Sequence, residues 1–184
     1  YLVENQDVKV FIMEDSYTSE AGINEWIGGG KGNVETIANN FSIGFWNCKE
    51  VVDLLKWMRN YNLNKAKYEQ IRFYGMDIQV VQNINFEIRN LVKKYNIPIS
   101  EELLLVLDNC VEKKVKYNGS NDWADIQIPK LNKIESILLD FKKGMKDENI
   151  EELNSTIRAL NYLSKYTYFV QNHYTQDRDL KMFE

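Results

Sequence analysis

Val8-Lys9-Val10-Phe11-Ile12-Met13-Glu14 and Ile71-Arg72-Phe73-Tyr74-Gly75-Met76-Asp77 decide how this chain folds. Each is a short run of apolar, β-branched and aromatic residues that stops abruptly at an acid. Runs of that length, apolar on both faces, read as strands of a parallel sheet. Strands over about 8–14 and 71–77, joined by the long segment 15–70, make a βαβ unit. Such a unit pairs its strands in parallel through a right-handed crossover.

Working outward, Ser16 can cap a helix through Ile27, with Glu20 and Glu25 on its exposed side. Gly28-Gly29-Gly30-Lys31-Gly32 follows. It has no Lys-Ser/Thr in the spacing of a phosphate loop and comes after a helix, so it reads as a hinge or mobile rim loop. A short helical turn is expected near 34–40. A longer helix is expected over 48–61, with Asn47 as N-cap and Glu50 three residues on. Its apolar positions Val51, Leu54, Leu55, Met58 and Tyr61 lie on one face.

Beyond Asp77 the chain reads as helix. One segment spans 79–95 and stops at Asn96 and Pro98; a second is capped by Ser100 and runs to about Lys116. A polar loop over 118–125 contains Trp123, a third helix covers 130–146, and a fourth starts at Asp147 or Asn149 and continues through Asn172. The fold class is α/β, predominantly helical. Residues 1–80 form the βαβ part of an α/β core, and 81–184 form a helical portion of the same domain.

Composition narrows the function classes. The 184 residues are 44% apolar and 27% charged, with a net charge of −4, enough for a real core and an ordinary surface. No apolar stretch approaches the roughly 18 residues of a membrane span. The mild acidic excess argues against a nucleic-acid surface. Cys48 and Cys110 are far apart and form no zinc or redox motif, and the lone His173 builds no multi-His site. No cofactor is expected. Distant reduced thiols are compatible with a cytoplasm, but secretion stays open, as does the oligomeric state. The ends, Tyr1-Leu2-Val3-Glu4 and Met182-Phe183-Glu184, read as cuts from a longer protein.

Both strands end in carboxylates, Glu14 and Asp77. Ligands bind outside the carboxyl ends of parallel strands. Neighbouring strands lie roughly 4.8 Å apart, so these acids stand at one rim, where they can share a water and divide acid and base roles. They can equally serve only as caps of the helices that follow. His173 continues the stripe Tyr162, Tyr166 and Phe169 or Val170 on the last helix, which reads first as core. Arg178, within Asp177-Arg178-Asp179, can close an ion pair or face an anionic group. Trp46 is either core or a flat wall for a ligand.

Several of these segments occur together in one family. Phe45-Trp46-Asn47, the helix Glu50 to Asn62, and Arg72-Phe73-Tyr74-Gly75-Met76-Asp77-Ile78-Gln79 resemble the erythromycin esterase family, which includes bacterial proteins labelled as succinoglycan-biosynthesis-like. Val10 to Glu14 followed by Asn24-Glu25-Trp26-Ile27 resembles the family's strand-acid-helix unit, and Asp177 to Glu184 its "RD--M-EN" segment. The resemblance implies hydrolysis of an ester, in the named members a macrolactone, by water activated through a His and acids, on a small-molecule substrate. It assigns catalytic roles to Glu14, Asp77 and Arg178 and substrate contacts to Trp46 and Gln79; His173, at the end of its helical stripe, is the further candidate for a substrate contact. Glu14 would polarise the His or water, Asp77 and Gln79 would hold the hydrogen-bond network, and Arg178 would stabilise developing negative charge. The family's "GE--HG" and "HN-H" motifs are not in this sequence, so this segment alone is expected to be inactive. The rival reading is a non-enzymatic helical binding or scaffold module using Trp26, Trp46 and Trp123. A third keeps the fold but hydrolyses through a metal whose ligands lie elsewhere.

Overall fold

A computed structural model describes residues 1–17, 20–39, 41–78, 81, 83–112 and 123–172. The chain divides into two compact units, Tyr1–Val80 and Val81–Glu184. The first holds α1 (Leu2–Asn5), β1 (Val10–Ser16), α2 (Glu20–Ile27), α3 (Val34–Ala38), α4 (Lys49–Asn62) and β2 (Arg72–Asp77). The second holds α5 (Ile84–Lys94), α6 (Glu101–Val111), α7 (Trp123–Lys142) and α8 (Asp147–Asn172). The class is α/β and mostly helical, as the periodicities imply.

β1 and β2 pair in parallel, with Val10 opposite Arg72, Phe11 opposite Phe73, Ile12 opposite Tyr74 and Met13 opposite Gly75. The pairing then slips, and Ser16 stands opposite Asp77. From Met13 to Ser16 is three steps and from Gly75 to Asp77 is two, so β1 carries one extra residue, a bulge. The first strand therefore runs two residues past Glu14, the end expected from the sequence. Acidic residues are poor strand formers, but Asp15 and Ser16 are fully buried here and their polar groups are bonded.

One face of the strand pair carries the core of this unit. Met13 and Phe73 pack with Ile23, Ile27, Leu55 and Met58, and the Phe41 ring meets Phe73 edge-on at 5.7 Å. On α4, Val51, Leu55 and Met58 are buried, and Leu54 and Tyr61 are packed against the cluster, which matches the expected stripe. The cap differs from expectation. Cys48, not Asn47, occupies the N-cap, and the Asn47 amide donates instead to the Asn39 side chain.

The glycine loop, expected as a hinge or mobile rim, is tied by hydrogen bonds to α4. Arg59 reaches back from α4 and donates to the carbonyls of Trp26, Gly29 and Gly30, while its guanidinium lies 4.6 Å from the centre of the Trp26 ring. The indole N–H of Trp26 donates to Gly32 O at 3.1 Å. Gly29 and Gly32 have φ of +106° and +137°, values that L side chains rarely adopt. The glycines are there to make a tight, pinned turn.

In the second unit α7 packs on α6 and α8, and α5 on α6 and α8. α7 begins at Trp123, earlier than the expected start at 130, and takes Pro129 inside it. An interior proline costs about 3 kcal/mol. That cost is offset because Ala124, Gln127, Leu131, Ile134 and Leu138 recur at three- and four-residue steps and are all buried. α5 starts at Ile84, later than the expected 79, and α6 is described only as far as Val111, with the expected continuation to Lys116 outside the described residues. The aromatic stripe Tyr162, Tyr166, Phe169 and Val170 is buried, as core. Among the described residues no helix is long and apolar enough to cross a membrane.

The two cysteines differ sharply. Cys110 is buried and its thiol is pushed by desolvation to about 11 from an ordinary 9.0, whereas Cys48 is partly exposed. The folded chain holds the Cys110 proton more tightly than the unfolded chain does. Its stabilising contribution is therefore intact below pH 9 and is lost as pH rises to about 11. Melting curves across that range should show a loss on the order of 2 kcal/mol that disappears in Cys110→Ala.

Candidate functional site

The carboxyl end of the strand pair gathers the acids. Asp15, Glu20 and Asp77 are buried at 0%, 5% and 2% exposure, while Glu14 is exposed. The expected neighbours Glu14 and Asp77 thus stand at the same end of adjacent parallel strands but in different environments. Alternation along β1 is the cause: Val10, Ile12 and Glu14 face outward and are exposed, whereas Met13 and Asp15 face the packed side.

Asp15 was invisible as a site residue because it follows the acid that ends the apolar run. Its Oδ1 accepts from the N–H of Ser16 at 2.7 Å, the N–H of Ser42 at 3.0 Å and the Ser42 hydroxyl at 2.9 Å. Its Oδ2 accepts from the N–H of Ile43 at 3.2 Å. Four donors on one carboxylate satisfy a buried charge that would otherwise be very costly. They also fix the segment that leads into the short 3-10 turn Gly44–Trp46.

That turn delivers Trp46 to the strand end. Its ring is half-buried, stacks near Phe45 at 4.3 Å between centroids, and donates its indole N–H to the backbone carbonyl of Glu14 at 2.9 Å. Trp46 packs partly against the core cluster. It anchors the backbone from which the exposed Glu14 carboxylate projects.

Glu20 corrects a second expectation. It faces inward from the first turn of α2, and its Oε1 accepts the Gly75 N–H at 3.1 Å. Asn24, one turn on, pairs doubly with Phe73: its Oδ1 accepts the Phe73 N–H and its Nδ2 donates to the Phe73 carbonyl, both at 2.8 Å. Asn62 does the same for Ile71, at 2.8 and 3.0 Å. An acid at the start of a helix normally reads as a solvated partner of the helix dipole, which is why Glu20 looked exposed.

Gln79, His173 and Arg178 lie outside the described residues. Among the described residues, no three His, Cys, Asp or Glu side chains converge as a metal site. A groove of about 460 Å³ in the second unit, lined by Leu103, Lys130, Lys133 and Ile137 among others, contains none of the residues nominated from sequence. At this strand end Glu14 is exposed on a held backbone, beside the buried acids Asp15, Glu20 and Asp77.

A family model described as erythromycin esterase matches residues 3–184. Among solved structures, a protein from Bacillus cereus superimposes on 100% of this chain with a TM-score of 0.75 and 20% identity, covering 46% of its own length. A succinoglycan biosynthesis protein superimposes on 99% of this chain with a TM-score of 0.63 and 18% identity, covering 45% of its own length. At these identities the likeness is one of fold, and the chain spans less than half the length of either relative. No curated protein matches the sequence.

Proposed function

The chain belongs to the erythromycin esterase family, and from that premise we propose that it forms part of a hydrolase that cleaves an ester of a small molecule with water. The observation that carries the reading is Glu14: exposed at the carboxyl end of a parallel strand, on a backbone held by Trp46. A carboxylate so placed can accept a proton from an attacking water or orient a base that does. Attack on the ester carbonyl breaks the acyl–oxygen bond and gives an acid and an alcohol. Holding the carboxylate on a fixed backbone lowers the entropic cost of reaching that geometry.

Asp77 receives a different role from the one expected of a pair of facing acids. Being buried, it serves as a positioning residue at the strand end, together with Asp15 and Glu20. The assignments of Gln79 and Arg178 remain those of the sequence resemblance, and that of His173 the reading from its place on the last helix. A scaffold role resting on the tryptophans is less well supported, since Trp26 is 6% exposed in the core and the Trp46 N–H is committed to Glu14.

The test uses the protein at its natural length, a panel of alkyl esters and lactones, and water enriched in oxygen-18. The expected result is turnover above the uncatalysed rate with one labelled oxygen in the acid product and none in the alcohol. Absence of turnover across the panel, or label in the alcohol, would overturn the proposal.

A further inference from the structure

Lys130, Lys133 and Ile137 recur on α7 at steps of three and four, so they share one face of that helix. They lie one residue to the side of the buried stripe Gln127, Leu131, Ile134 and Leu138. α7 packs on α6, and the groove of about 460 Å³ is lined by Leu103 from α6 and by these three residues from α7. A hollow of that size is in the range that holds a small organic molecule. Leu103 and Ile137, both half-buried, give it an apolar wall.

The charged groups on the groove are Lys130, Lys133 and Glu102. Among the described residues none of the three has an ion-pair partner, so Glu102 stands too far from either ammonium to neutralise it. Like charges three residues apart on a helix repel, and an anion between them relieves that repulsion. Lys130 does not simply project into solvent: its charge acts on the buried Cys110 thiol of α6 and favours the thiolate. Two cations against one acid leave a single positive charge, which a monoanion balances and a dianion exceeds. The Ser100 hydroxyl oxygen accepts the Leu103 N–H at 3.3 Å as the cap of α6, which leaves its O–H to donate to a bound oxygen. Solvated lysines alone would need no ligand. The apolar wall beside them matches a molecule that is charged at one end and hydrocarbon at the other.

We propose that this groove binds a small amphiphilic carboxylate, its head between Lys130 and Lys133 and its hydrocarbon against Leu103 and Ile137. Glu102 limits the ligand to one negative charge, and Ser100 donates to the carboxylate. This site is independent of the hydrolytic reading and can fail while that reading stands.

The test titrates octanoate into the protein at its natural length and follows the NMR shifts of the Leu103 and Ile137 methyl groups. Octanoate is expected to saturate those shifts by about 10 mM. Octanol, which keeps the tail, and inorganic phosphate, which keeps the charge, are expected to bind at least ~10-fold more weakly. Both lysines are exposed, so Lys130→Gln combined with Lys133→Gln should leave the melting temperature unchanged. That double variant should bind octanoate at least ~10-fold more weakly than the parent, while Lys130→Arg with Lys133→Arg keeps the charges and should keep the binding. No saturation by about 10 mM would overturn the proposal. So would a smaller difference for octanol (an apolar groove only), for phosphate (an anion site only) or for the Gln double variant.

Discussion

Gly75→Ala is expected to destabilise the fold by more than ~4 kcal/mol, or to prevent folding altogether. A Cβ on Gly75 would sit against the backbone oxygen of Ser16 and 2.6 Å from the backbone oxygen of Asp15. Neither atom belongs to a flexible side chain, and both lie in the bulge that the extra residue of β1 creates. Relief would require the strands to part where they are held most firmly, between the donors that fix Asp15 and the bond from Gly75 to Glu20. Gly44→Ala is the control, since a Cβ there meets nothing within 4 Å; its effect should stay within about 0.5 kcal/mol. Urea midpoints of the two variants check this directly. Near-wild-type stability for Gly75→Ala would mean that β1 and β2 do not approach as described.

The same region shows what could and could not be read from the sequence. The apolar runs, their separation and the acids that end them were enough to find two parallel strands, because a short run apolar at successive positions is a local compositional mark, even though the Val10 and Ile12 face of β1 is exposed among the described residues. The stripe of α4 was legible for the same reason. The bulge was not. It depends on Asp15 and Ser16 finding partners in residues 42 and 43, far along the chain, and no local pattern records that. The inward turn of Glu20 and the double bonds of Asn24 and Asn62 to β2 were hidden likewise: each is a polar residue in a helix that looks solvated until the strand beside it is placed. Arg59 carries the same lesson. Read alone it is a surface cation, yet it bonds to three carbonyls of the turn that holds the glycine loop. Of the nominated site residues, Glu14, Trp46 and Asp77 can be judged on geometry. They share a strand end, where Asp77 is buried, Trp46 half-buried and Glu14 exposed.

The second large effect concerns Glu14 itself. Because its carboxylate is exposed, Glu14→Gln should leave stability within about 0.5 kcal/mol of the parent. The substitution keeps the shape and the bond from Trp46 to the backbone carbonyl, and removes only the charge and the proton acceptor. For a carboxylate acting in proton transfer, the loss in kcat falls in the range of about 100- to 10,000-fold. KM should change little, since the group acts on the water rather than on the bound ester. Asp77→Asn, a change at a buried positioning residue, should lower stability as well as activity, so the two variants separate by their melting temperatures. The deciding measurement is kcat for ester hydrolysis by Glu14→Gln in the protein at its natural length, made alongside a thermal melt. The expected result is a fall of at least ~100-fold in kcat with the melting temperature unchanged. A variant that melts like the parent and hydrolyses the ester within about threefold of its rate would contradict the account.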